Sequence, residues 1–177
     1  VLVDGRWPSG TDAALSLARH RRIPGVVDVD RSTVDATVIA TCLDLASHLV
    51  FSEDALRELT GTCSATDGLR RIGRDTGAHV SVTLGARGVV WIDGDDVRSL
   101  GAFDVDAVDT TGAGDVFHGA ATLALAEGAD EARAFAFASA AAALKCTRFG
   151  ARAGVPNRQE VDDLLDRTSI ASEVTAP

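Results

Sequence analysis

Asp109-Thr110-Thr111-Gly112-Ala113-Gly114-Asp115-Val116-Phe117 sets two glycines around an alanine immediately before a run that reads as a helix, with Val116, Phe117, Ala120, Ala121, Leu123, Ala124 and Leu125 as its apolar surface. Glycine lets the backbone approach a ligand closely and adopt conformations that a larger residue resists. The free N–H groups of Gly112, Ala113 and Gly114 then point out of the positive end of the helix, where anions bind. Asp115, in the first turn, is a carboxylate next to that anion position and within reach of a hydroxyl proton. An amide cradle beside a base is the equipment of phosphoryl transfer. Ordinary helix capping would use the same residue types.

Outward from this turn, strand-like and helix-like segments alternate. Val1–Val3, Val26–Val29, His48–Phe51 and His79–Leu84 read as strands, with helices after Ser9 or Thr11, through Val34, Val38 and Ile39, over Glu53–Thr60 and around Leu69 and Ile72. Short loops between alternating elements imply a parallel sheet with helical cover. Val89–Ile92 follows His79–Leu84 across Gly85-Ala86-Arg87-Gly88, with Asp93-Gly94 as turn residues, and the sheet switches to antiparallel there. Val97–Leu100 and Val105–Val108 read as further strands, and Ala113–Ala126 and Ala129–Leu144 as two closely packed Ala-rich helices. No linker divides residues 1–167, and the small polar tail from Thr168 is expected to fray.

The chain has 177 residues, 46% of them apolar, a net charge of -9 and a pI near 4.8. It is long enough for a real core. No basic field exists to displace counterions from a nucleic acid, which excludes that partner, and no apolar run reaches the ~20 residues of a membrane span. Cys42, Cys63 and Cys146 are odd in number and widely spaced, which fits reduced thiols and a cytoplasmic location. The start at Val1 reads as that of a piece cut from a longer chain.

Taken whole, Asp-Thr-Thr-Gly-Ala-Gly-Asp-x-Phe resembles the second signature of the ribokinase family of carbohydrate kinases. The resemblance runs to Pro156 and matches only the C-terminal three fifths or so of a typical member. It implies a ribokinase-like three-layer α/β/α fold with a mostly parallel sheet, lacking the N-terminal part and the lid. It makes Asp115 the catalytic base and Gly112, Ala113 and Gly114 the anion hole. Thr83-Leu84-Gly85-Ala86-Arg87-Gly88 matches a run that contacts ATP in the family, which gives Thr83, Gly85 and Gly88 that role; Ser139 falls where the family often has an Asn beside adenine. Arg87 is either a phosphate ligand or a solvated turn charge.

Lys145-Cys146-Thr147-Arg148-Phe149-Gly150-Ala151-Arg152-Ala153-Gly154 resembles the loop whose carbonyls, with Asp109 and Thr111, hold a monovalent cation in the family. Lys145, Arg148 and Gly150 inherit those positions, with K+ as the ion. Gly154 replaces a Ser ligand found in some members. Many members carry Asn-x-x-Glu after the third strand to organise Mg2+, whereas this chain has Ser52-Glu53-Asp54-Ala55. Glu53 or Asp54 is the substitute, and Ser52 is equally a plain helix cap.

Within the family, Asp4-Gly5-Arg6-Trp7 and Lys145-Cys146-Thr147-Arg148 look most like the sulfofructose kinases. That makes the substrate an anionic ketose such as 6-deoxy-6-sulfofructose, read by Arg6 and Asp30, with a neutral sugar or a non-catalytic nucleotide-binding module as the alternatives. Arg6 is also readable as a surface ion pair or a guanidinium stacked on Trp7. A piece without its lid is expected to be inactive alone, and the apolar edge beside Val1–Val3 to favour a homodimer.

Overall fold

The computed structural model describes residues 1–31 and 36–168, the side chains of 36–38 excepted. The helix position expected at Val34 and all of the expected tail beyond Thr168 lie outside the described residues, as does the side chain of Val38. Six strands form one sheet in sequence order: β1 (Leu2–Val3), β2 (Val26–Val29), β3 (His48–Ser52), β4 (His79–Thr83), β5 (Val89–Asp93) and β6 (Asp96–Leu100). The pairs β1–β2, β2–β3 and β3–β4 are parallel, with Val27 opposite Leu49 and Leu49 opposite Val80. A two-residue turn at Gly94 and Asp95 joins β5 to β6, and five residues join β4 to β5, connections that only antiparallel neighbours allow.

The chain divides into two compact units. Residues 1–84 and 90–98 form the first. Its core gathers Leu15 of α1 (Pro8–Arg21), Ile39 and Cys42 of α2 (Ala36–Leu45), Ala55 and Leu56 of α3 (Glu53–Thr60), and Leu69 and Ile72 of α4 (Ala65–Gly73) with Val27, Val29, Leu49, Phe51, Val80 and Val82 of the strands. β3 reads as an unbroken apolar run because both faces of a parallel strand are covered. Ser52 accepts from the Ala55 N–H at 3.2 Å and so caps α3, which ends at a left-handed Gly61. α1 begins earlier than its hydroxyl residues suggest. Pro8 takes the first helical position, Trp7 precedes it without a side-chain cap, and Thr11 is buried inside.

Residues 85–89 and, among the described residues, 99–168 form the second unit. Here α5 (Ala113–Ala126), α6 (Glu131–Cys146) and α7 (Arg158–Arg167) pack together. Ala121, Ala134, Ala138 and Ala140 are buried, and the Phe117 and Phe135 rings stack at 6.0 Å. Small side chains permit that close approach. Val105–Val108, expected as a strand, joins no ladder: the Val108 and Asp109 N–H groups both donate to the Cys146 carbonyl, at 2.7 and 3.1 Å. The approach to the glycine turn is thereby tied to the end of α6.

Candidate active site

Gly112 opens α5 in the left-handed conformation, φ 78°, which favours glycine. A Cβ there would also stand 3.1 Å from Ala151 Cβ, whereas one on Gly114 would meet nothing within 4 Å. The ground above Gly114 is open. Among the described residues, the N–H groups of Gly112, Gly114 and Asp115 meet no acceptor. The Ala113 N–H differs from expectation, because it donates to the Thr110 carbonyl at 3.1 Å and closes the turn. Three outward amides therefore remain, with Asp115 N–H in place of Ala113 N–H.

Asp115 is exposed and lines a cavity of about 520 Å³ with Gly112, Val116, Gly119 and Arg152. The sequence offers no signal for Arg152 beyond its place in the loop after α6; a cation on the same cavity as a carboxylate and three free amides suits a polyanion. Arg158 borders the cavity too, but it is held by Glu127 at 2.6 and 2.8 Å and lies over the Phe137 ring.

Beneath the turn lies a charged centre. Asp109 accepts from the Thr111 N–H through Oδ1 at 2.9 Å and from the Gly150 N–H through Oδ2 at 2.8 Å. These bonds from Thr111 and then Gly150, with Lys145 nearby, draw its pKa down to about 2. Lys145 is fully buried. Its Nζ donates to the Asp109 carbonyl at 2.5 Å and stands 3.7 Å from Asp109 Oδ2. The Arg148 guanidinium turns away to form a two-pronged pair with Glu160, at 3.2 and 2.5 Å.

Of the residues expected to hold a monovalent metal ion, Asp109, Lys145 and Gly150 have their carbonyls engaged already, and a buried ammonium stands at Asp109. The Asp109 carbonyl already accepts the ammonium, the Lys145 carbonyl accepts the Arg148 N–H at 3.1 Å, and the Gly150 carbonyl accepts the Gly154 N–H at 2.9 Å. A Cβ on Gly154 would lie 2.8 Å from the Gly150 oxygen, so this chain cannot take the Ser ligand of other members without moving that loop. A metal ion on the Asp109 oxygen would sit within roughly 5 Å of the ammonium, a repulsion of about 3–4 kcal/mol at an effective dielectric of 20.

The other expected residues fall in separate places. Thr83 ends β4 and donates to the Phe51 carbonyl at 3.3 Å. Gly85 opens a single 3-10 turn, Gly85–Arg87, with φ 59° and free space where a Cβ would be. Gly88 has a structural reason to be glycine: a Cβ would be 1.9 Å from the Leu100 carbonyl oxygen. Ser139 is buried within α6. Asp30 and Glu53 line one shallow cavity of about 520 Å³ with Arg31, Ser52 and Asp54, beyond the ends of β2 and β3. Arg6 is exposed and does not stack on Trp7. Its Nε donates to Asp4 Oδ2 at 2.8 Å and its backbone N–H to Asp4 Oδ1 at 3.0 Å; the Trp7 ring lies over Gly10 instead.

The sheet is mostly parallel, a glycine turn opens α5 with a carboxylate in its first turn, and residues 1–158 match the model of the pfkB family of carbohydrate kinases. The chain belongs to that family. It is 46% identical over 88 residues to the ribokinase of Bacillus subtilis, which covers 50% of this chain and 30% of that protein. A crystal structure of a putative ribokinase from Agrobacterium tumefaciens superposes with a TM-score of 0.86 at 40% identity, over 94% of this chain and 55% of that one. Arabidopsis thaliana ribokinase, solved with ribose and ATP, superposes at 0.82 and 27% identity, over 93% of this chain and 55% of that one. The expected ribokinase-like fold class is borne out. The chain spans between about a third and a little over half of the length of these relatives. No helix among the described residues is long and apolar enough to cross a membrane.

Proposed function

We propose that this chain is the catalytic and nucleotide-binding portion of an ATP-dependent sugar kinase. The observation that carries the reading is Asp115 set among three unbonded N–H groups at the start of α5, facing an open cavity. The sugar hydroxyl gives its proton to Asp115 as its oxygen bonds the γ-phosphorus, and the bond from that phosphorus to the bridging oxygen breaks to release ADP. Amides fixed at the helix start stabilise the charge that develops on the transferred group, because they need no reorganisation as it forms. Thr83, Gly85, Gly88 and Ser139 supply the nucleotide contacts. Glu53, with Asp30 facing the same cavity, offers the carboxylate oxygens that suit Mg2+, an ion that neutralises phosphate charge in such transfers.

The finer reading is an anionic ketose such as 6-deoxy-6-sulfofructose, supported by Arg6 in the loop after β1. Asp4 grips Nε, and among the described residues neither Nη group has a partner, so the fork is held with its end available. A neutral sugar is the second reading, supported by the ribokinase names of the relatives. Three free thiols support a cytoplasmic location, and the open edge of β1 supports a homodimer. Because positioning and water exclusion supply most of this catalysis, the 177 residues alone are expected to turn over sugar poorly.

The decisive experiment replaces Asp115 by Asn in the complete protein. ATP binding is expected to persist while turnover falls by the ~10²–10⁴-fold of a lost acid–base group. A variant keeping more than a tenth of wild-type turnover ends the assignment.

A further inference from the structure

We infer that the Lys145 ammonium is this chain's built-in monovalent cation, standing in for a bound metal ion under the anion hole and making the fold of that turn independent of K+. The placement is specific. Lys145 lies one residue before the end of α6, is wholly shielded from solvent, and directs its Nζ onto the carbonyl of the first residue of the Asp109–Phe117 turn. A buried ammonium persists only where it is paired and hydrogen-bonded. Asp109 supplies both: its carbonyl oxygen at 2.5 Å and its carboxylate at 3.7 Å. The same carboxylate receives the N–H groups of Thr111 and Gly150, one on each side of the centre. The positive charge thus fastens the glycine turn to the loop after α6 through a single aspartate, as a metal ion shared by two loops would.

A second observation is independent of the lysine. Gly154 packs so that a Cβ would strike the carbonyl oxygens of Gly150 and Arg148, at 2.8 and 3.2 Å. The loop has closed over the room in which a side-chain oxygen could reach an ion. A tethered cation has no dissociation equilibrium, so the turn needs no salt to be organised, whereas a bound ion would stabilise the fold in proportion to its concentration.

Thermal unfolding of the full chain tests this without reference to kinase activity, so failure here and failure of the kinase reading are distinguishable. Melting midpoints are compared in KCl, NaCl, NH4Cl and choline chloride at equal ionic strength. The wild-type midpoint is expected to be the same within about 1 °C in KCl and choline chloride; a K+-specific rise that grows with concentration overturns the inference. That arm requires no substitution. In the second, Lys145→Ala opens the ammonium's place, and the variant is expected to melt lower in choline chloride and to recover in KCl or NH4Cl in a saturable way. Lys145→Met, which fills the space without charge, is expected to recover in neither. Equal recovery of both variants, or recovery of neither, shows that the lysine acts by packing alone and overturns the assignment.

Discussion

Asp109 works harder than its place at the head of a glycine turn suggests. One carboxylate and one carbonyl receive two backbone N–H groups and a buried ammonium, and the carboxylate is consequently held ionised down to a pH of about 2. Its folded pKa lies below the ~3.9 of an unfolded Asp, so its contribution is fully present above that value and is lost as the pH falls through the folded pKa. Glu160, drawn down by its hydrogen bonds from Arg148 and Asn157, acts in the same direction. Urea midpoints are therefore expected to drop between pH ~4 and ~2, with a shallower fall in Asp109→Asn, which has one carboxylate fewer to protonate on unfolding. An unchanged slope in the variant would exclude Asp109 as the source. The sequence made Asp109 and Lys145 neighbours of one centre through resemblance, but it assigned Lys145 by its carbonyl. Where a four-carbon side chain ends is a property of packing, and no spacing rule reports it.

Among the elements, legibility followed the strength of local chemistry. α3 could be read from its Ser52 cap to its Gly61 stop because both signals are local. α7 went unread although Asn157-Arg158-Gln159-Glu160 announces it. The Asn157 side chain accepts from the Glu160 N–H at 3.1 Å and Glu160 accepts from the Asn157 N–H at 2.8 Å, a full capping box. Asn157→Ala is expected to cost about 1 kcal/mol of stability in chemical denaturation, a typical loss of a cap. Val105–Val108 misled because Phe103, Val105 and Ala107 alternate with Asp104 and Asp106, and such alternation satisfies a strand pattern whether or not a partner strand exists. Gly88 illustrates the other limit: the sequence offered a ligand contact, whereas its φ of 90° and the Leu100 carbonyl beside it require glycine regardless of any ligand. Strain and overpacking together make Gly88→Ala worth about 2–4 kcal/mol of destabilisation. A melt unchanged by that substitution would leave the nucleotide contact as the reason for a glycine there.

At the scale of the molecule, a net charge of -9 bears on the proposed sugar. An acidic protein repels an anionic substrate at long range, so recognition of a sulfonated ketose must come from a local cation strong enough to overcome the mean field. Arg6 is the candidate outside the phosphate turn. Its 60% exposure argues for a weak interaction in the free chain, while the Asp4 grip on Nε argues for an oriented one. If Arg6 reads the sulfonate, Arg6→Ala in the complete protein lowers kcat/KM for the anionic ketose by roughly 10–150-fold, the loss of one charge-assisted contact, and leaves fructose nearly unaffected. Arg6→Lys restores only part, since a point charge cannot reproduce a planar fork. Asp4→Asn separates orientation from charge: the guanidinium loses its anchor but keeps its charge, so specificity falls less than in Arg6→Ala. Salt gives an independent check. Added KCl screens the mean repulsion and the local attraction alike, the first over the ~10 Å Debye length at 0.1 M and the second less if the contact is desolvated on binding. The anionic sugar should then gain in kcat/KM with moderate salt in the wild type, with fructose flat. Equal losses for both sugars in Arg6→Ala would make Arg6 a structural residue and leave a neutral sugar as the substrate.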